Sequence, residues 1–422
     1  MAYTEEGAMD EPIQYPRFRW LVLLAACLGY AGMQINMIAY APLLADIAKD
    51  LGVDMGAATH LMTVFLFTAS IALIVGGFLC DRYGIMFTII LGILSTSIPA
   101  LLMPWIGTSY VVVLWSRIIQ GLSAGFLMSV MAPIVAVWFP AQEKGLASGL
   151  MGGSISMGAA IGVLAAPAVF LALRSWQQMS AWLSIVGWIA LIVALVIVFS
   201  PKPQPPSQAQ SRGAPIADGA AFKRALYAPI TWIGIVTTFF AAWILQTLYN
   251  LTPAYLATDK PVGIGFGPMM SGKLMLAVMI AGMIGPVIGG MLQDKVFRGN
   301  PKPILLIGFV LCCISIYTIQ FPAIYLNLPV LIGSLVLAGA GIQFIYPSIV
   351  VLVSNTYSIH IVGKMLGLWM GIGAFGGAAG LFVGGLAIAR YGNYNAAISF
   401  IAMAAALGFI FGLFLARPKR MA

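Results

Sequence analysis

The sequence predicts an all-α membrane protein of twelve transmembrane helices arranged as two six-helix repeats. Three observations carry this. The composition is 61% hydrophobic and only 8% charged; apolar runs of about 20 residues, enough to cross a bilayer, recur along the whole chain; and motifs of the first half return in the second. An ordinary soluble domain is roughly 25% charged, and a mean hydropathy of +1.00 over 422 residues exceeds what an aqueous core of that size needs. The surplus apolar surface faces lipid.

The runs predict spans at 20–44, 60–80, 86–106, 110–138, 147–171, 178–200, 229–256, 266–292, 303–323, 327–350, 365–388 and 394–416. They are continuously apolar, whereas barrel strands alternate over about 10 residues, so helices are expected. Each helix then satisfies its own backbone groups. The first run follows an acidic tail with Glu5, Glu6, Asp10 and Glu11, then Arg17 and Arg19, and no small-residue cleavage site follows it. It reads as an uncleaved first span. Cys27, Cys80, Cys312 and Cys313 lie in or at the ends of apolar runs, without metal-ligand or disulfide spacing. They read as packing residues.

Positive charge orients the spans. Most of the 21 Lys and Arg fall in tails and loops of one side, only Lys49, Arg174, Lys260 and Arg390 fall on the other, and Arg117 and Lys273 lie inside apolar runs. The positive-inside rule makes both termini cytoplasmic and the chain a multi-pass inner-membrane protein. The net charge of +9 reflects this topology, with no basic stripe of the kind that binds nucleic acid. No nucleotide-binding loop, metal cluster or nucleophile constellation appears, so neither an enzyme nor a cofactor is expected.

The stretch after Pro201 is rich in Pro, Gln and Ser and divides the chain into a first bundle (1–200), a cytoplasmic linker (201–228) and a second bundle (229–422). Gly76-Gly77-Phe78-Leu79-Cys80-Asp81-Arg82 recurs 213 positions later as Gly289-Gly290-Met291-Leu292-Gln293-Asp294-Lys295 (289 minus 76). Pro42 matches Pro253, Pro133 matches Pro347 and Arg174 matches Arg390 at nearly the same offset. Ordered pairs of this kind indicate a duplicated six-helix unit.

The loop Gly77-Phe78-Leu79-Cys80-Asp81-Arg82-Tyr83-Gly84 resembles the G-x-L-x-D-R-x-G signature of the major facilitator superfamily, and Arg117-Ile118-Ile119-Gln120-Gly121 resembles that superfamily's R-x-x-x-G element. The likeness covers essentially the whole chain. It departs at Ile85 and Met86, where the family usually places basic residues. The resemblance implies a monomeric secondary transporter with a gate at Asp81, Arg82 and, in the repeat, Asp294. It also implies a central cavity lined by the first, fourth, seventh and tenth spans, where Gln34, Asn36, Tyr40, Gln120, Gln246, Tyr249, Asn250, Gln343 and Tyr346 are the candidate binding residues. The segment from Trp138 to Gly149 resembles the loop and fifth-span start of bacterial oxalate-formate and nitrate-nitrite porters. The basic residues those porters place in their second, eighth and eleventh spans are missing here. Anions in general are implied, and neither named substrate.

Charge inside a membrane is costly and commonly functional. Arg117 and Lys273 are both positive, and all 12 acids fall in tails, loops or span ends. A negatively charged substrate would supply the missing counter-charge. Arg117 can equally serve packing against backbone carbonyls, and Lys273 can equally reach the outer surface. Subtracting the repeat offset from Lys273 gives His60, which places the two as partners across the pseudo-twofold axis. His60 and Asp46 are the candidates for a coupling proton, each with an interfacial alternative. The glycines of the fifth span (Gly149, Gly153, Gly158, Gly162) and the eleventh (Gly373, Gly376, Gly377, Gly380) read as sliding contacts between the halves.

The function expected is secondary active transport of a small organic anion, a mono- or dicarboxylate, by alternating access, with a coupling proton or counter-anion as the other solute. The alternative is a carrier or exporter of a neutral or cationic organic solute, bound by an aromatic wall of Trp243, Tyr249 and Trp369.

Overall fold

In the computed structural model the described residues are 17–140, 143–200, 219–357 and 361–415. The linker residues 201–218 lie outside them.

Twelve helical spans cross the molecule. The first is α1 (Arg19–Ile38), a 3-10 turn over Ala41–Leu43, and α2 (Leu44–Leu51). Pro42 in that turn cannot donate a backbone hydrogen bond and breaks the span. Single helices follow: α3 (Met55–Tyr83), α4 (Ile85–Ile106), α5 (Tyr110–Trp138) and α6 (Lys144–Leu173). The sixth span is α7 (Trp176–Leu183) continued by α8 (Ile185–Phe199). A short amphipathic helix, α9 (Gly219–Tyr227), occupies the end of the expected linker and leads into the second bundle. That bundle comprises α10 (Pro229–Ala257), α11 (Gly267–Lys295), α12 (Pro301–Thr318), the single turn α13 (Pro322–Tyr325), α14 (Leu328–Thr356), α15 (Val362–Tyr391) and α16 (Asn395–Phe414). The repeat is imperfect at its prolines. Pro253, the mate of Pro42, stays inside a continuous α10.

An even number of spans brings the first and last described residues, Arg17 and Leu415, to one face, called here the terminal face. Arg19 holds Glu143 there through two contacts of 3.0 Å, and Lys302 Nζ donates to the Leu413 carbonyl at 2.7 Å. At the opposite, far face, Asp50 Oδ2 accepts from Trp176 Nε1 and Gln177 Nε2, both at 2.7 Å.

The two halves meet toward the far face. On the α3–α15 seam a Cβ at Gly56 would stand 2.9 Å from the Gly385 carbonyl oxygen and 2.7 Å from the Ala389 Cβ. His60 stacks on Phe382 with ring centroids 5.6 Å apart, and Phe67 meets Phe375 edge-on at 5.9 Å. On the α6–α11 seam a Cβ at Gly272 would lie 2.5 Å from the Val163 carbonyl oxygen. The 3-10 turn packs on both α10 and α11. Nearer the terminal face, nothing lies within 4 Å of a Cβ built at Gly149, Gly152, Gly153, Gly367 or Gly371. The halves therefore part on that side.

The expected sliding glycines are corrected here. Gly158 and Gly162 seat against Ala31 and Ile35 of α1, and Gly373, Gly376, Gly377 and Gly380 seat against α10. These six close helices within one half, because small residues serve any tight crossing, whereas Gly149 and Gly153 of the expected set face open space.

Candidate functional site

A cavity of about 310 Å³ lies between the halves. From the first half, α1 contributes Met33, Gln34 and Met37, while α3 contributes Leu66, Ala69, Ser70 and Leu73. Ala124, Gly125 and Met128 of α5 and Ile155 of α6 complete that wall. The second half supplies Ala242, Leu245, Gln246 and Tyr249 from α10, with Tyr346 of α14 and Ala374 of α15. No charged side chain lines this cavity among the described residues. Its polar groups are two amides, one serine and two phenols.

Of the candidate residues, Gln34, Gln246, Tyr249 and Tyr346 are brought together here. Gln343 stands just behind the wall against Gly282 and Gly285, with the Tyr249 hydroxyl beside it at Gly282. The Gln246 Oε1 is buried without a hydrogen-bond partner. Asn250 is turned back into its own helix, donating to the Gln246 carbonyl at 2.7 Å. Sequence reasoning missed Ser70 and the methionines. Apolar residues carry no chemical signal, and the second span was not expected to line the cavity.

Arg117 builds a separate layer. It is 1% exposed. Its Nε donates to the Leu61 carbonyl at 3.3 Å, and its Nη1 donates to the Asn36 carbonyl at 3.3 Å and to Gln120 Oε1 at 2.8 Å. The guanidinium lies 4.3 Å from the Tyr40 ring centroid and 4.7 Å from that of Phe65, a geometry in which aromatic faces stabilise a cation. No carboxylate pairs with it among the described residues. Asn36 and Phe65 touch Arg117, while the next residue on each helix, Met37 and Leu66, lines the cavity. Arg117 thus stands one side-chain layer beyond the cavity wall. Asn36 and Gln120 sit in this layer too, leaving Asn36 Oδ1 and Gln120 Nε2 buried and unpaired. Tyr40 joins it from below, its hydroxyl 3.3 Å from Ser180 Oγ.

The remaining candidates lie elsewhere. Lys273 is exposed in the second turn of α11. His60 belongs to the α3–α15 seam and Lys273 to the helix packed on α6, so their related repeat positions do not make them neighbours. Asp46 borders a far-face depression with Lys49, Asp50 and Arg174. Arg82 is exposed, its guanidinium 5.4 Å from the Tyr83 ring centroid. Asp81 and Asp294 fall in the last turns of α3 and α11, and their side chains lie outside the described residues. The aromatic wall is not assembled. Only Tyr249 reaches the cavity; Trp369 is buried against Gly234 and Tyr357, and Trp243 packs with Phe239 and Phe240.

Comparison with known proteins places this architecture. A family model described as Major Facilitator Superfamily matches residues 22–333 and 300–422. The probable sulfoacetate transporter of Cupriavidus necator is 23% identical over 411 residues, covering 92% of this chain and 91% of that protein. A probable galactarate/D-glucarate transporter of Pseudomonas putida is 32% identical over 151 residues, 34% of this chain and 32% of its own length. The probable chloroplastic anion transporter 3 of Arabidopsis thaliana is 30% identical over 137 residues, 32% of this chain and 26% of its own length. The match thus spans about a third or less of these last two proteins. Among solved structures, a D-xylose–proton symporter superposes with a TM-score of 0.76 at 15% identity, over 95% of this chain and 99% of its own. The inward-open xylose transporter of E. coli gives 0.72 at 15% identity, over 95% and 97%.

Proposed function

The chain belongs to the Major Facilitator Superfamily, and we propose that it is a secondary carrier moving a small organic anion across the inner membrane by alternating access. The observation that carries this reading is the buried Arg117 guanidinium, which has no carboxylate partner among the described residues and stands one layer behind the cavity wall. At an effective dielectric of about 20, unit charges about 8 Å apart attract by about 2 kcal/mol. An anion in the cavity gains roughly that, and a cation loses it. Three relatives are named for anionic substrates, which agrees.

In this reading the terminal face is cytoplasmic, and the structure is the state open to that side. Substrate enters between the parted halves, reaches the cavity and meets the closed α3–α15 and α6–α11 seams beyond it. Turnover requires those seams to open while the terminal face closes. In this reading Asp81, Arg82 and Asp294, residues of the last turns of α3 and α11, would form the latch of that closure.

A second reading, a neutral hydroxylated solute, is favoured by one feature. Gln246 Oε1 is a buried acceptor without a partner, which a substrate hydroxyl would satisfy. The cationic version loses its support with the aromatic wall. A thermal-shift screen of the purified protein across carboxylates, amines and sugars separates these. Carboxylates are expected to raise Tm and the other classes to leave it unchanged; stabilisation by sugars alone would move the assignment to the neutral solute.

A further inference from the structure

The cavity has two unlike ends. α1 and α10 run toward the far face, whereas α3 and α5 run away from it. Met37, Leu66 and Tyr249 therefore line the far end, and Met33, Leu73 and Met128 the terminal end. Leu66 to Leu73 is seven residues of helix, so the cavity is about 10 Å long at 1.5 Å per residue. Arg117 stands behind the far end only, through its contacts with Asn36 and Phe65. The terminal end carries Met33, Leu73 and Met128 beside the Gln34 amide and the Tyr346 phenol.

Charge counting limits what fits. Among the described residues Arg117 is the cation found near the cavity, and Lys273 is exposed elsewhere. A second carboxylate in the cavity would lie among mostly apolar side chains with no second cation to compensate it. An apolar tail there exchanges water for matching surface.

We propose that the cavity takes a monocarboxylate with an apolar body, its carboxylate toward the Arg117 layer and its chain along Met33, Leu73 and Met128. This rests on the anion reading above and narrows it. It also sets this chain apart from the relative named for galactarate and D-glucarate, whose substrates carry two carboxylates and many hydroxyls.

Three ligands of equal carbon count isolate the features: hexanoate, adipate and hexanamide, with galactarate as the hydroxylated dianion. Binding to the purified chain in detergent is measured by calorimetry at fixed ionic strength. Hexanoate is expected to bind at least tenfold more tightly than adipate, galactarate or hexanamide. Adipate or galactarate binding as tightly as hexanoate overturns the monocarboxylate assignment while leaving the anion reading standing. Hexanamide binding as tightly as hexanoate, with both acids weak, overturns the anion reading and this inference together. Absence of binding by hexanoate throughout the millimolar range overturns the inference as well.

Discussion

Arg117 donates from Nη1 to Gln120 Oε1 at 2.8 Å, and Gln120 leaves its own Nε2 buried without a partner. The pair fixes a positive charge in the first half of the protein where, among the described residues, no acid pairs with it. Everything inferred about substrate follows from that placement. The guanidinium bridges α1, α3 and α5, so it is both a structural tie and the source of the cavity's potential.

Arg117→Lys separates those two roles. An ammonium keeps the charge but cannot span the Leu61, Asn36 and Gln120 acceptors from a planar fork. A stability loss of about 1–3 kcal/mol is expected from buried acceptors left unsatisfied, with preference for anions retained. Thermal unfolding beside ligand competition checks this; unchanged stability would deny the three-helix tie.

Gly56→Val tests the far-face seam. A Cβ at Gly56 already lies 2.9 Å from the Gly385 carbonyl oxygen, and a branched side chain has no room unless α3 and α15 separate. Labelling of cysteines introduced at the far face is expected to rise severalfold and transport to fall at least tenfold. Unaltered labelling would mean that the seam is not a gate.

Gly153→Leu probes the other end. Nothing lies within 4 Å of a Cβ there, and leucine in place of glycine stabilises a helix by about 0.5–1 kcal/mol. The variant is expected to fold at least as well as the parent and to bind substrate from the terminal side, yet to turn over slowly. The added side chain occupies the space into which the halves must close. Normal transport would show that the terminal face does not close at α6.

Lys273→Gln concerns approach rather than binding. Lys273 is exposed near the far face, where screening by salt is strong. Its loss is expected to flatten the ionic-strength dependence of transport from the far side while changing affinity less than about threefold. A large affinity change would place Lys273 at the substrate after all.

The spans were legible because hydropathy depends on composition, which tertiary packing does not alter. The break at Ala39–Leu43 was less so. Pro42 signals it, but Pro253, its repeat mate, sits in an unbroken helix, so the outcome depends on neighbours rather than on proline alone. Gln34, Gln246, Tyr249 and Tyr346 were readable as cavity residues because polar side chains within a span need a partner or water. Met33, Met37 and Leu66 were not, since apolar residues serve lipid, core and cavity alike. Six of the expected sliding glycines pack within one half instead, for a related reason. Gly376 and Gly56 look the same in sequence, yet one meets α10 within its half and the other meets α15 across the seam.

The most direct measurement is hexanoate affinity in the double variant Arg117→Met, Gln120→Leu. Replacing the buried charge and its Gln120 partner with apolar side chains of similar volume removes the pair together but leaves the Leu61 and Asn36 carbonyls without the guanidinium, so the fold is expected to survive with a stability loss of about 1–3 kcal/mol. Removing the charge is expected to weaken hexanoate binding roughly 30-fold, the equivalent of about 2 kcal/mol. Undiminished affinity in a folded double variant would contradict the claim that Arg117 makes this cavity a site for anions.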